Sequence, residues 1–240
     1  TSNIETKEFL LKLNVKNTKF YGNIKLINKI NPNNIQNLND KIFKKKRFWL
    51  AASTHISEDN FCLKTHLLLK EKYPEIISII APRHIERAKE IETLSLSLNL
   101  KTQILNADER IEDGKEIIII SAFGVLQDYF KYAKSVFIGK SMIKKLKSVG
   151  GQSPIDAAKL GCKVYHGPYV YNFEEIYRIL KNNNISSKIE SSKELSENLI
   201  KDLDDIEKKG SQISQVINNL GQKTLIDTMK EIRKFINEIK

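Results

Sequence analysis

The sequence predicts a doubly wound α/β domain, a parallel sheet with helices on both faces, followed by C-terminal helices. Three observations carry this. Short apolar runs recur at 48–52, 76–81, 102–105, 117–120, 136–138 and 163–165; segments of helical spacing separate most of them; and polar loops, several with glycine, follow the runs. Continuous apolar strands that alternate with helices are what a parallel sheet buried on both faces requires.

Composition sets the limits. The chain has 240 residues, of which 40% are hydrophobic, enough for one large α/β domain or one and a half ordinary ones. No run approaches the roughly 18 apolar residues of a membrane span, and no apolar leader opens the sequence. Cys62 and Cys162 lie far apart in apolar surroundings without metal-ligand spacing, which predicts buried free thiols. The net charge is +11, yet only six of the 40 basic residues are arginine. Lysine spread over solvated faces favours anionic partners in general, whether nucleotide, nucleic acid or acidic membrane, without choosing among them.

The chain divides into four parts. Residues 1–27 begin without methionine and read as the remnant of a preceding domain, with a short amphipathic helix at 5–13 and an extended stretch at 18–25. Residues 28–46 are rich in asparagine and lysine with one proline, and read as a linker, with room for a short helix at 35–42. Residues 47–190 carry the alternating pattern, with helices at 57–73, 85–98, 124–133 and 173–181. Residues 191–240 change character: helices at 194–206 and 213–239 carry apolar residues at three- and four-residue spacing, among them Val216, Leu220, Leu225, Met229, Ile232 and Ile236. That stripe is expected to pack on the sheet or on a neighbouring domain.

The stretch most suggestive of chemistry is Val149-Gly150-Gly151-Gln152-Ser153-Pro154-Ile155-Asp156-Ala157-Ala158. Two glycines allow a close approach of the backbone; Ser153 fits an N-cap, Pro154 the first helical position and Asp156 the third, where a carboxylate can fold back on the cap. Such a start is a seat for phosphate, or an ordinary turn into a well-capped helix. In open α/β sheets ligands bind beyond the carboxyl ends of the strands. The polar residues gather at those ends: Ser53-Thr54-His55, Pro82-Arg83-His84, Ser121-Ala122-Phe123-Gly124, the 140–153 loop, and His166-Gly167-Pro168 with Asn172. Arg83 offers a planar fork for a phosphate or a base edge, or is a surface arginine at a helix start. His55 and His84 are structural, solvent-facing or catalytic, Gly124 begins a helix or lets a base approach, and Asn172 caps a helix or meets ligand. No metal cluster, Ser-His-Asp order or Walker loop is present, and no general base is evident.

Taken together, these residues resemble the Kdo transferases, B-type glycosyltransferases that attach 3-deoxy-D-manno-oct-2-ulosonic acid (Kdo) to the lipid A precursor. The matching motifs are Ala51-Ala52-Ser53-Thr54-His55 with Glu58, Ala81-Pro82-Arg83-His84-Ile85-Glu86-Arg87, Phe137-Ile138-Gly139-Lys140-Ser141, residues 150–158, and Gly167-Pro168 with Asn172-Phe173-Glu174-Glu175-Ile176. Tyr21-Gly22-Asn23-Ile24-Lys25 is similar to the strand that ends the family's first domain. The resemblance covers about residues 5–185 and implies a Rossmann-like C-terminal domain that holds the CMP of the donor. It implies nucleotide binding by Pro82, Arg83, Phe123, Gly124, Val125, Ser153, Pro154, Ile155 and Asp156, with Ser53, His55, Gly150, Gly151, Gln152 and Asn172 as secondary members.

The resemblance further implies a glycosyltransferase of lipopolysaccharide synthesis with CMP-Kdo as donor, lipid A precursor as acceptor, no cofactor or metal, and no nucleic acid as partner. The catalytic carboxylate and the acceptor surface would lie in an N-terminal domain that this chain lacks, so the chain alone is expected to bind nucleotide at best. The expected location is the cytoplasmic face of a bacterial inner membrane. The chain departs from the family at Val125, where an acidic residue is usual, at Gln152-Ser153 in place of His-Asn, and at Asp156 in place of Glu. The alternatives are an inactive or partner-dependent nucleotide-binding fragment and, from its charge, a basic nucleic-acid-binding domain.

Overall fold

The computed structural model describes residues 1, 3–205 and 210–239. In chain order its elements are α1 (Ile4–Lys12), α2 (Asp40–Lys45), β1 (Phe48–Thr54), α3 (Glu58–Lys72), β2 (Ile77–Pro82), α4 (Ala88–Ser97), β3 (Thr102–Leu105), β4 (Ile117–Ile120), α5 (Leu126–Phe130), β5 (Ser135–Ile138), α6 (Ile155–Lys159), β6 (Lys163–His166), α7 (Glu174–Asn182), β7 (Ser186–Lys188), α8 (Ser192–Asp204) and α9 (Gly210–Ile239). The strands form one seven-stranded sheet in the order β3-β4-β2-β1-β5-β6-β7. Every pairing is parallel. The doubly wound α/β class is therefore the observed one.

Alternation along the strands sends side chains to two cores. Leu50, Ala52, Ile79, Ile118, Val136 and Val164 face one, under α5, α6, α7 and the first half of α9. Trp49, Ala51, Ile80, Ile119, Phe137 and Tyr165 face the other, under α3, α4 and α8. Each of these side chains is 2% exposed or less, and burying one large apolar side chain contributes roughly 1.5–3 kcal/mol. Both cysteines are buried, and burial pushes the Cys62 thiol well above its ordinary pKa.

Several local expectations are corrected. β7, Ser186-Ser187-Lys188, carries no apolar signal; pairing with β6 makes it a strand. The helices expected at 124–133 and from Pro154 shrink to the single turns α5 and α6. The extended stretch at 18–25 is not a strand. Gly22 takes a left-handed φ of 108°, the Asn23 side chain accepts the Lys25 N–H, and Ile24–Ile27 wind into a 3-10 turn against α9. The linker at 28–46 is not a free spacer: Ile35 and Phe43 are buried in the first core, and its helix falls at α2 rather than at 35–42. In α9, Val216 and Leu220 pack on that core, whereas Met229, Ile232 and Ile236 face solvent. The expected end of α8 at Ile206 lies outside the described residues.

Candidate functional site

Because the sheet is wholly parallel, the loops leaving its strands open on one edge. Strand order reverses between β1 and β5, and a crevice forms outside such a reversal. β1 ends there in an irregularity: register shifts between Ala52 and Thr54, and Ser53 takes a left-handed φ of 56°. On the adjoining strand Gly139 lies so close that an added Cβ would stand 2.5 Å from the Ser53 carbonyl and 2.6 Å from Thr54 Cα.

Glu58, in the first turn of α3, binds the two sides together. It is 1% exposed, and its carboxylate accepts four backbone N–H groups: His55 at 2.9 Å and Lys140 at 2.7 Å on Oε2, Ser141 at 2.8 Å and Met142 at 2.9 Å on Oε1. Burial pushes its pKa above the ordinary value, against these four bonds that favour the anion. Asp59 accepts from the Thr54 hydroxyl and pairs with buried Arg87, which also reaches Glu90. Two buried carboxylates thus fix the loop after β1 in place.

The other loops join the same edge. The Arg83 N–H donates to the Thr54 carbonyl at 2.9 Å, so Arg83 follows β2 directly beside the end of β1, with its side chain exposed. The His55 and His84 rings meet edge to face at 5.5 Å. Burial first, then the neighbouring Lys140, Arg87 and Arg83 cations and the adjoining His84 ring, hold the His55 pKa down to about 4, and its Nε2 is buried without a hydrogen-bond partner. Beyond β4, Phe123 is 68% exposed and Gly124 has a left-handed φ of 79°. Gln127 Nε2 donates to Asp156 Oδ2 at 3.1 Å and ties this loop to α6.

Placement thus differs among the expected residues. Arg83, Phe123, Gly124, Ser153 and Asn172 are exposed, Ser53, His55, Val125, Gln152 and Asp156 partly so, and Pro82, Pro154 and Ile155 are buried. The cap expected of Ser153 and Asp156 does not form: Pro154 occupies the N-cap, Ser153 Oγ lies only 3.4 Å from the Ile155 N–H, and Asp156 turns to Gln127. Gly150 and Gly151 approach backbone rather than open space. A Cβ at Gly150 would lie 2.5 Å from the Tyr169 carbonyl and one at Gly151 2.9 Å from Val170 Cα, while the Gly151 N–H is spent on the Lys140 carbonyl at 2.7 Å. Asn172 caps no helix; its side chain donates to the Val149 carbonyl at 2.8 Å and secures the same loop. The helix start at α6 is one turn long, so its dipole is slight.

Two residues central to this geometry, Glu58 and Lys140, were not among the expected site members. The signal for Glu58 was its place three residues after His55, the spacing at which a carboxylate folds back on a backbone N–H. Of the cavities, one lies away from the edge and one reaches its margin. One of ≈ 410 Å³ borders Lys134, Lys163 and Asn184 at the opposite ends of the strands. One of ≈ 450 Å³ lies between α1 and the start of α7, bordered by the expected site member Asn172 and by Glu8, Lys25, Phe173 and Arg178. Among the described residues no group of histidine, cysteine and carboxylate side chains is arranged to hold a metal ion, and no helix is long and apolar enough to cross a membrane.

Comparison with known proteins places this geometry in context. No protein-family model matches the chain. It is 25% identical over 215 residues to a 3-deoxy-D-manno-octulosonic acid transferase of Haemophilus influenzae, covering 85% of this chain and 48% of that protein. It is 26% identical over 151 residues to the transferase of Aquifex aeolicus, covering 63% of this chain and 40% of that protein. The chain therefore spans about half the length of these relatives or less. Among solved structures it resembles the C-terminal CMP-Kdo binding domain of WaaA from Acinetobacter baumannii, at a TM-score of 0.63 and 19% identity over 77% of this chain and 91% of that one. It also resembles S. aureus MnaA in complex with UDP, at a TM-score of 0.58 and 13% identity over 99% of this chain and 60% of that one. In sequence the chain is similar to Kdo transferases, and in fold to the C-terminal CMP-Kdo binding domain of WaaA.

Proposed function

We propose that this chain forms the donor-binding portion of a Kdo transferase and holds CMP-Kdo while the sugar passes to a lipid A precursor. The observation that carries the reading is the meeting, on one sheet edge at the reversal of strand order, of Arg83, the loop Phe123-Gly124-Val125 and the segment Ser153-Pro154-Ile155-Asp156. Arg83 is exposed with a rigid fork suited to phosphate oxygens, and exposed Phe123 offers a face for a base. The exposed Ser153 hydroxyl adds a donor at the edge, while buried Pro82, Pro154 and Ile155 shape its floor.

In this reading the transfer is inverting and metal-independent. A carboxylate from a domain that precedes this region in the relatives takes the proton of the acceptor hydroxyl, and the hydroxyl oxygen attacks the anomeric carbon. CMP leaves, and Arg83 offsets the negative charge that gathers on its phosphate. The net charge of +11 suits work beside an anionic membrane face, the proposed place being the cytoplasmic side of the inner membrane.

Thermal unfolding with CMP and with UMP tests the proposal. A ligand at 100 times its Kd stabilises by about 2.7 kcal/mol, which for a chain of this size raises the midpoint by about 5–10 °C. CMP is expected to protect and UMP to protect far less, and Arg83→Ala is expected to abolish the protection. Equal protection by both nucleotides would overturn the reading.

A further inference from the structure

Beyond Arg83, a second cation stands at the reversal of strand order. Lys140 follows Gly139 at the end of β5 and takes a left-handed φ of 56°, a conformation that costs a side-chain-bearing residue and that glycine adopts freely. Its backbone is held from both sides, the N–H by Glu58 Oε2 and the carbonyl by the Gly151 N–H, each at 2.7 Å. Because the His55 N–H donates to that same Oε2 at 2.9 Å, the two backbones converge on one atom from opposite sides of the reversal.

The charges around this point are out of balance. Arg83, Lys140 and His55 come from the ends of three adjacent strands, β2, β5 and β1. Of the nearby carboxylates, Glu58 is engaged by four amides and Asp59 by Arg87 and Thr54, while exposed Glu86 lies 3.5 Å from His84 Nδ1. Among the described residues no carboxylate forms an ion pair with Arg83 or Lys140. His55 Nε2 is buried there without a hydrogen-bond partner. A field that is positive from several sides, with an unsatisfied donor or acceptor inside it, suits an anion.

We propose that Lys140 contacts the donor directly and, with His55 and Arg83, seats an anionic group of the sugar nucleotide, either its phosphate or the carboxylate of its sugar acid. This rests on the nucleotide-sugar reading above and adds to it the residue that selects a doubly anionic donor.

The test is equilibrium titration of the wild-type chain, Lys140→Gly, Lys140→Gln and Lys140→Arg with CMP, cytidine, free Kdo and inorganic phosphate. Lys140→Gly removes the charge while easing the backbone, so its thermal midpoint is expected to match or exceed that of wild type; Lys140→Gln is the second uncharged variant. Both are expected to bind CMP or free Kdo about tenfold more weakly, the order expected of one charge-assisted hydrogen bond, with cytidine unchanged and Lys140→Arg close to wild type. Loss confined to CMP and inorganic phosphate assigns the phosphate, and loss confined to Kdo assigns the carboxylate. Uncharged variants that bind every anion as wild type does overturn the seat and leave the nucleotide reading standing. A wild-type chain that ignores CMP and cytidine but binds phosphate or Kdo through Lys140 overturns the nucleotide reading and keeps the seat. Indifference of the wild type to every anion overturns both.

Discussion

Replacing Glu58 with glutamine removes one of the two oxygens that bind the site together. The carboxamide nitrogen then faces two backbone N–H groups, either His55 and Lys140 or Ser141 and Met142, depending on how it turns. Each buried donor left unsatisfied costs about 1–3 kcal/mol, so two cost about 2–6 kcal/mol. Relief from burying a charge offsets part of this, since the wild-type carboxyl already has a raised pKa through burial. A net loss of about 2–3 kcal/mol should remain, which for a chain of this length lowers the midpoint by about 4–12 °C. Thermal unfolding followed by circular dichroism reads this directly. The same samples with added CMP should show weakened protection, because the loops bearing His55 and Lys140 are no longer joined. A Glu58→Gln midpoint within about 1 °C of wild type, with intact protection by CMP, would refute the reasoning that one carboxylate fastens both sides of the reversal.

Three further outcomes are expected. Gly139→Ala drives a Cβ into the Ser53 and Thr54 backbone at 2.5 and 2.6 Å, and urea unfolding should show a loss of about 1–3 kcal/mol; a change under about 0.5 kcal/mol would contradict the close approach. Phe123→Ala, at a side chain 68% exposed, should leave stability unchanged and weaken CMP about fivefold or more in a titration if the ring stacks on the base; unchanged affinity removes Phe123 from the site. Burial holds the pKa of His166, only 7% exposed, down to about 4 against an ordinary 6.5, so the unfolded chain takes up a proton that the fold excludes. Its contribution is therefore intact above pH 6.5 and is lost as pH falls toward 4, by up to about 3 kcal/mol. Urea unfolding at pH 7.5 and 4.5 should show the fall, and His166→Gln should flatten it without abolishing it, because burial also lowers His55 and His66.

The fold class and the edge on which a site could form were legible in the residues alone. Runs such as Ile117-Ile118-Ile119-Ile120 have only one economical home, a strand buried on both faces, and strands so buried are parallel, which brings every loop after a strand to the same side. Arg83 and Ser153 could therefore be assigned to one edge without coordinates. The remainder depends on bonds between residues distant in sequence. Ser186-Ser187-Lys188 is a strand because β6 offers it an edge, and residues 28–46 are tied to the core because Phe43 finds the aromatic rings of Phe48 and Tyr129. Gly150 and Gly151 serve the packing of two loops, since the backbone they approach belongs to Tyr169 and Val170. Glu58 gained its role from amides more than eighty residues away at Lys140, Ser141 and Met142. Local spacing reports the period of an element and the chemistry of its ends; which donor meets which acceptor is settled only when the sheet closes.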